Sequence, residues 1–149
     1  MKVSAVKYCA IFAALALIMT HICWSADTTS LRSRDGNCQV SVPADWSLGQ
    51  LPGTAESSDK QLIVTITSPR SLDSFSDLKQ TAKFVYKGSK VTRDSATDFV
   101  LEGQSVTGKP DVYHAISIGS SRYCIVEVVY ESGSPEPARA ITQTLKAVR

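Results

Sequence analysis

Histidine, tryptophan and methionine are scarce here, at 2 of each in 149 residues. His21 lies in the N-terminal segment, which leaves His114 as the one histidine of the chain's body. A metal site built from several imidazoles is thereby excluded, and any Ser-His-Asp triad or Cys-His dyad would have to run through His114. Also missing are Gly-x-Ser-x-Gly, His-Glu-x-x-His and a phosphate-cradling glycine loop. No apolar run reaches the roughly twenty residues that a membrane-spanning helix needs. Charge of one sign is lacking too. With Lys2 and Lys7 set aside, 14 basic residues stand against 14 acidic ones, so nothing argues for nucleic acid or an anionic membrane surface as partner. Internal repeats and low-complexity tracts do not occur.

What is present begins with a leader. Met1 to Lys7 is short and basic, Tyr8 to Met19 is unbroken apolar sequence, and Cys23-Trp24-Ser25-Ala26-Asp27 follows. That layout is a secretory signal peptide over residues 1–25, with cleavage after Ser25 and Ala26 as the near alternative. A retained anchor is the competing reading. Thr20-His21-Ile22 before Cys23 are not the small residues of a lipoprotein site. The sequence thus predicts a secreted or periplasmic protein with no stable membrane anchor after cleavage.

Two cysteines, Cys38 and Cys124, remain after cleavage, and an isolated pair in an oxidising compartment has one connectivity. A redox couple would usually show Cys-x-x-Cys spacing, and a metal site would want histidines. A structural disulfide is the favoured reading, and closing such a loop stabilises by about 4–5 kcal/mol in the chain-entropy model.

Residues 26–37 are polar and read as a flexible leader, and 38–149 read as a single α+β domain. Cys38-Gln39-Val40-Ser41-Val42 alternates strictly and predicts a half-buried strand. A loop is expected from Leu51 to Lys60, then an inner strand from Gln61 to Thr67. Ser74 and Asp77 form a near capping box, and Phe75, Leu78, Ala82 and Val85 recur at helical spacing until Gly88. Strand-like stretches follow at 91–93 and 98–102. The clearest β element is a hairpin, Val112–Ile118 and Tyr123–Glu131, around a tip from Gly119 to Arg122. Both its faces are largely apolar, so it belongs inside a sheet with cover on both sides. Ser134-Pro135-Glu136-Pro137 opens a last helix with Ala138, Ile141, Leu145 and Val148 as its stripe.

This order predicts an antiparallel β-sheet with flanking helices. Val42-Pro43-Ala44-Asp45-Trp46, the strand ending Thr67-Ser68-Pro69, the Ser74–Tyr86 helix, the long hairpin and the terminal helix together resemble the PsbP-like α/β/α sandwich family. That group includes the photosystem subunit PsbP, the Ran-binding Mog protein and DcrB-type periplasmic proteins. The resemblance implies a non-enzymatic binding or accessory role. It carries over no set of functional residues and does not imply the disulfide.

Few residues invite a functional reading. With a four-residue tip, His114 falls opposite Glu127, which would make a pH-sensitive contact, a polar anchor or merely a satisfied pair. Lys79, Lys83 and Lys87 line one side of the first helix, with Phe84 pointing away from the apolar stripe; they could meet an acidic partner or simply be solvated. Trp46 either lines a pocket or plugs the end of the sandwich. Asp94 and Asp98 fall short of a calcium loop's oxygen count. No metal or cofactor is called for. The sequence therefore points to a binding or accessory protein whose partner is another protein, such as an envelope accessory factor or an effector inhibitor. Alternatives are a small-ligand carrier with an apolar pocket near Trp46 and the hairpin face, and a hydrolase centred on His114.

Overall fold

Valine-, isoleucine- and threonine-rich segments assemble into two antiparallel sheets in the computed structural model, which describes residues 27–70, 74–86, 88–119 and 121–148. The expected signal peptide, 1–25, lies outside these residues. A three-stranded sheet has the order β1-β2-β10, with β1 at Thr28–Arg32, β2 at Cys38–Pro43 and β10 at Lys146–Ala147. A seven-stranded sheet has the order β3-β4-β5-β9-β8-β7-β6. Its strands are β3 Ser47–Leu48, β4 Thr54–Glu56, β5 Leu62–Thr67, β6 Lys90–Asp94, β7 Asp98–Gln104, β8 Pro110–Ser117 and β9 Tyr123–Tyr130. Helix α1 is Phe75–Val85 and α2 is Glu136–Thr142. The predicted α+β class, an antiparallel sheet with flanking helices, is the observed one.

The hairpin lies inside the large sheet as its apolar faces require, with β9 against β5 and β8 against β7. One face carries Val112, Cys124, Val126 and Val128, which pack with Val40, Val42, Val64, Ile66 and Ile141 between the two sheets and α2. Fully burying one such side chain stabilises by about 1.5–3 kcal/mol. The other face carries Phe99, Leu101, Tyr113 and Ala115, which pack under α1 around Ala82. Helix α1 starts where the sequence says it should. Ser74 accepts the Asp77 N–H at 3.2 Å, and the Asp77 carboxylate accepts the Ser74 N–H at 3.1 Å, so two orphan donors are satisfied. Cys38 and Cys124 form the expected disulfide, with Cα atoms 5.5 Å apart. It fastens β2 of the small sheet to β9 of the large one.

Four details depart from expectation. Residues 26–37 are not merely a flexible leader, because β1 pairs with β2 along its length and buries Leu31 against Val40. Its remaining side chains face solvent at a sheet edge, which is why the composition reads as loop. The expected loop at 51–60 holds β4, a short strand paired with β3 on one side and β5 on the other, with Ala55 in the core. The last helix stops at Thr142. Thr144 Oγ1 donates to the Ile141 carbonyl at 2.7 Å and accepts the Ser41 N–H at 2.8 Å, tying the chain to β2 instead of continuing the helix. Finally, the hairpin tip has three residues, not four: Ile118 N–H bonds the Arg122 carbonyl, and Gly119 and Ser121 take positive φ. An odd tip shifts the register by one and reverses which β9 side chains share each β8 face.

Candidate functional site

That register separates His114 from Glu127. His114 pairs with Val126, and Glu127 stands opposite Tyr113 on the other face of the sheet. The buried His114 instead reaches β7 and α2. Its Nδ1 lies 2.7 Å from the Thr142 carbonyl and its Nε2 2.9 Å from Asp98 Oδ1. Asp98 also accepts from Arg93 at 2.9 Å. Nearby, Arg139 grips Glu102 with two parallel bonds of 2.7 and 2.6 Å. The Arg139 hydrogen bonds are the largest influence on Glu102 and hold its carboxyl below the usual carboxylate range. A cavity of about 220 Å3 lies among these groups. Every charge in it has a partner from the chain itself. Both nitrogens of His114 are engaged, so a hydrolase centred there has no free base.

Trp46 is half-buried at the rim of an open cleft of about 430 Å3, with Pro43, Leu62 and Pro137 as apolar walls. Its other walls carry Asp45, Ser57, Ser58 and Asp59, and Ser58 bonds Asp45 there while Ser57 bonds Asp59. No described residue of the β8–β9 hairpin lines it, so this cleft is not the expected pocket shared by Trp46 and the hairpin face.

The basic side of α1 is partly neutralised within the chain. Lys79 and Lys83 both hold Asp94, at 2.5 and 3.0 Å, and Lys79 also donates to the Ser95 carbonyl at 3.0 Å. Lys87 lies outside the described residues. Phe84 is exposed on the outer face of the helix.

A different region stands open. Helix α1 leans toward β6, where its lysines bind Asp94, and its aromatic contacts end at β8 and β9 with Tyr86 on Tyr113 and Phe75 near Tyr123. Beyond that limit the same sheet face is uncovered: Ile63, Thr65 and Thr67 of β5 and Ile125, Glu127 and Val129 of β9 are only partly buried or exposed. The opposite side of α1 overlooks this floor. Leu78, Thr81, Val85 and Tyr86 form one wall of a groove of about 350 Å3, with Tyr113 and Ile125 below.

At the C-terminal end of α1 the floor holds two acids. Asp111 and Glu127 are diagonal neighbours on adjacent strands, since Asp111 pairs with Val129 and Tyr113 with Glu127. Asp111 is fully buried, and neither carboxyl oxygen has a well-formed hydrogen bond to a donor. Burial first, and the Glu127 carboxyl beside it second, push Asp111 up to about 7, opposed weakly by the Gly103 amide. Burial and the same carboxylate push Tyr86 and Tyr113 above the ordinary phenol range. Sequence reading passed over Asp111. The available signal was an acid at the start of a strand with apolar residues on both faces. Asp98 was weighed only beside Asp94, because nothing local says that β7 lies next to β8.

No family model matches the sequence, and no curated protein matches it. The fold defines the class: a PsbP-like α+β sandwich. The solution structure of cyanobacterial PsbP (CyanoP) from Synechocystis sp. PCC 6803 superposes with a TM-score of 0.50 over 83% of this chain and 94% of that one, at 9% sequence identity. Likeness at that identity shows the fold alone.

Proposed function

We propose that this chain is an exported, non-enzymatic binding or accessory protein, secreted or periplasmic, that takes a segment of another protein in the groove between α1 and the open face of β5 and β9. The observation that carries this reading is the half-roofed sheet. Helix α1 covers one part of a sheet face and leaves the rest in solvent, with Ile63 41% and Val85 41% exposed on its two sides. A trough open along its length suits a polypeptide better than a small ligand, which favours enclosure. Export is supported by the leader pattern and by the Cys38–Cys124 bridge, a bond that persists in oxidising compartments.

The test places a photo-crosslinking residue at Ile63, at Val85 and, as a control, at Val106 on the distant β7–β8 turn, in cells of the native host. One protein adduct of the same mass from Ile63 and Val85, absent from Val106, is expected. No protein adduct at either groove position overturns the reading. Intact mass of the recovered protein checks export, with the leader expected to be missing.

A further inference from the structure

We propose that Asp111 and Glu127 form a proton-operated latch for α1: while they share a proton, the last turn of the helix stays closed on the sheet, and loss of that proton lifts Tyr86 and deepens the groove. The inference uses the groove reading only for its consequence; the latch itself needs no partner.

The geometry supports it from several sides. Asp111 is wholly enclosed and lies diagonal to Glu127 on one sheet face. Two carboxylates side by side on one sheet face, one of them sealed from water, cannot both ionise cheaply, so one proton holds the pair together. The lid over them is Tyr86, the residue that caps α1, whose ring sits 5.2 Å from that of Tyr113 and whose hydroxyl lies beside the Glu127 carboxyl. The lid is seated closely. Gly103 is directly across from Asp111, and a Cβ there would come within 2.7 Å of Ser89 Cα, so the chain just beyond α1 rests on bare backbone.

No described cation compensates the pair. Lys79 and Lys83 hold Asp94, Lys109 holds Glu131, and Arg139 binds Glu102 and Glu136. Among the described residues, the groups facing Asp111 are Glu127 from β9, Tyr113 from β8 and Tyr86 at the cap of α1, while β7 offers Leu101 and Gly103. Tyr130 senses Asp111 from β9. Lys87 lies outside the described residues. The sign follows from linkage. Asp111 holds its proton more tightly folded than unfolded, so closure is fully favoured below the ordinary carboxylate range and weakens as pH rises to about 7.

The experiment is a carboxyl-carbon NMR titration of the whole mature protein, paired with hydrogen-exchange protection factors for residues 82–86 over the same pH range. Asp111 is expected to titrate well above ordinary carboxylates, with protection falling at least tenfold across that step, while Asp111→Asn holds protection constant. Titration of Asp111 in the ordinary range, unchanged protection, or the same fall in Asp111→Asn overturns the latch. Should that variant not fold, Glu127→Gln decides: the step moves to lower pH if the two acids are coupled, and an unmoved step refutes the coupling. Crosslinking in the groove is not involved, so either proposal can fail while the other stands.

Discussion

His114 and Asp98 meet across adjacent strands, with Nε2 2.9 Å from Oδ1, while the far ring nitrogen reaches the Thr142 carbonyl on α2. The imidazole thus bridges β7 to the end of α2. Replacing His114 by Phe removes both ring hydrogen bonds and leaves the Thr142 carbonyl with the Leu145 N–H alone, and stability is expected to fall by about 0.5–1.5 kcal/mol in urea unfolding. An unchanged midpoint would show that the bridge contributes nothing.

The Cys38–Cys124 bond closes a loop with a sequence separation of 86 and joins the two sheets. Its removal by paired serine substitution is expected to cost about 4–5 kcal/mol in the chain-entropy model, less whatever the reduced chain retains. Urea unfolding of oxidised and substituted proteins measures it.

Ser74→Ala removes the side-chain half of the α1 capping box. A loss of about 1 kcal/mol is expected. Because the α1 roof forms one wall of the groove, the same variant should show faster hydrogen exchange along 75–85 than in the sheet.

Glu102 supplies an acid-side dependence. Arg139 lowers its folded pKa, so the pair's stabilisation is in place above the ordinary glutamate range and is lost as pH falls through the depressed folded value. Glu102→Gln is expected to flatten that part of the acid limb. Urea midpoints of both proteins between roughly pH 3 and 6 test the sign, and parallel curves would exclude the coupling.

Much of this was legible locally. Alternation in 38–42, the β-branched apolar run in 61–67, the Ser74–Asp77 spacing and the doubly apolar hairpin each name an element through its own pattern or cap. What was not legible depends on counting across distance. One residue fewer in the hairpin tip moved His114 away from Glu127, and the pairing of β7 with β8 gave it Asp98 instead. The strand in the polar N-terminal stretch was invisible because only Leu31 turns inward.

The sequence by itself determined the periodicity of the strands and helices, where α1 begins and which two sulfurs could join, because those follow from neighbours along the chain. Only the tertiary structure decided that one sheet face is half roofed and that Asp111 is sealed beside Glu127. Those facts depend on strand order and on which apolar surfaces the whole chain could bury together, and no window of neighbouring residues contains them.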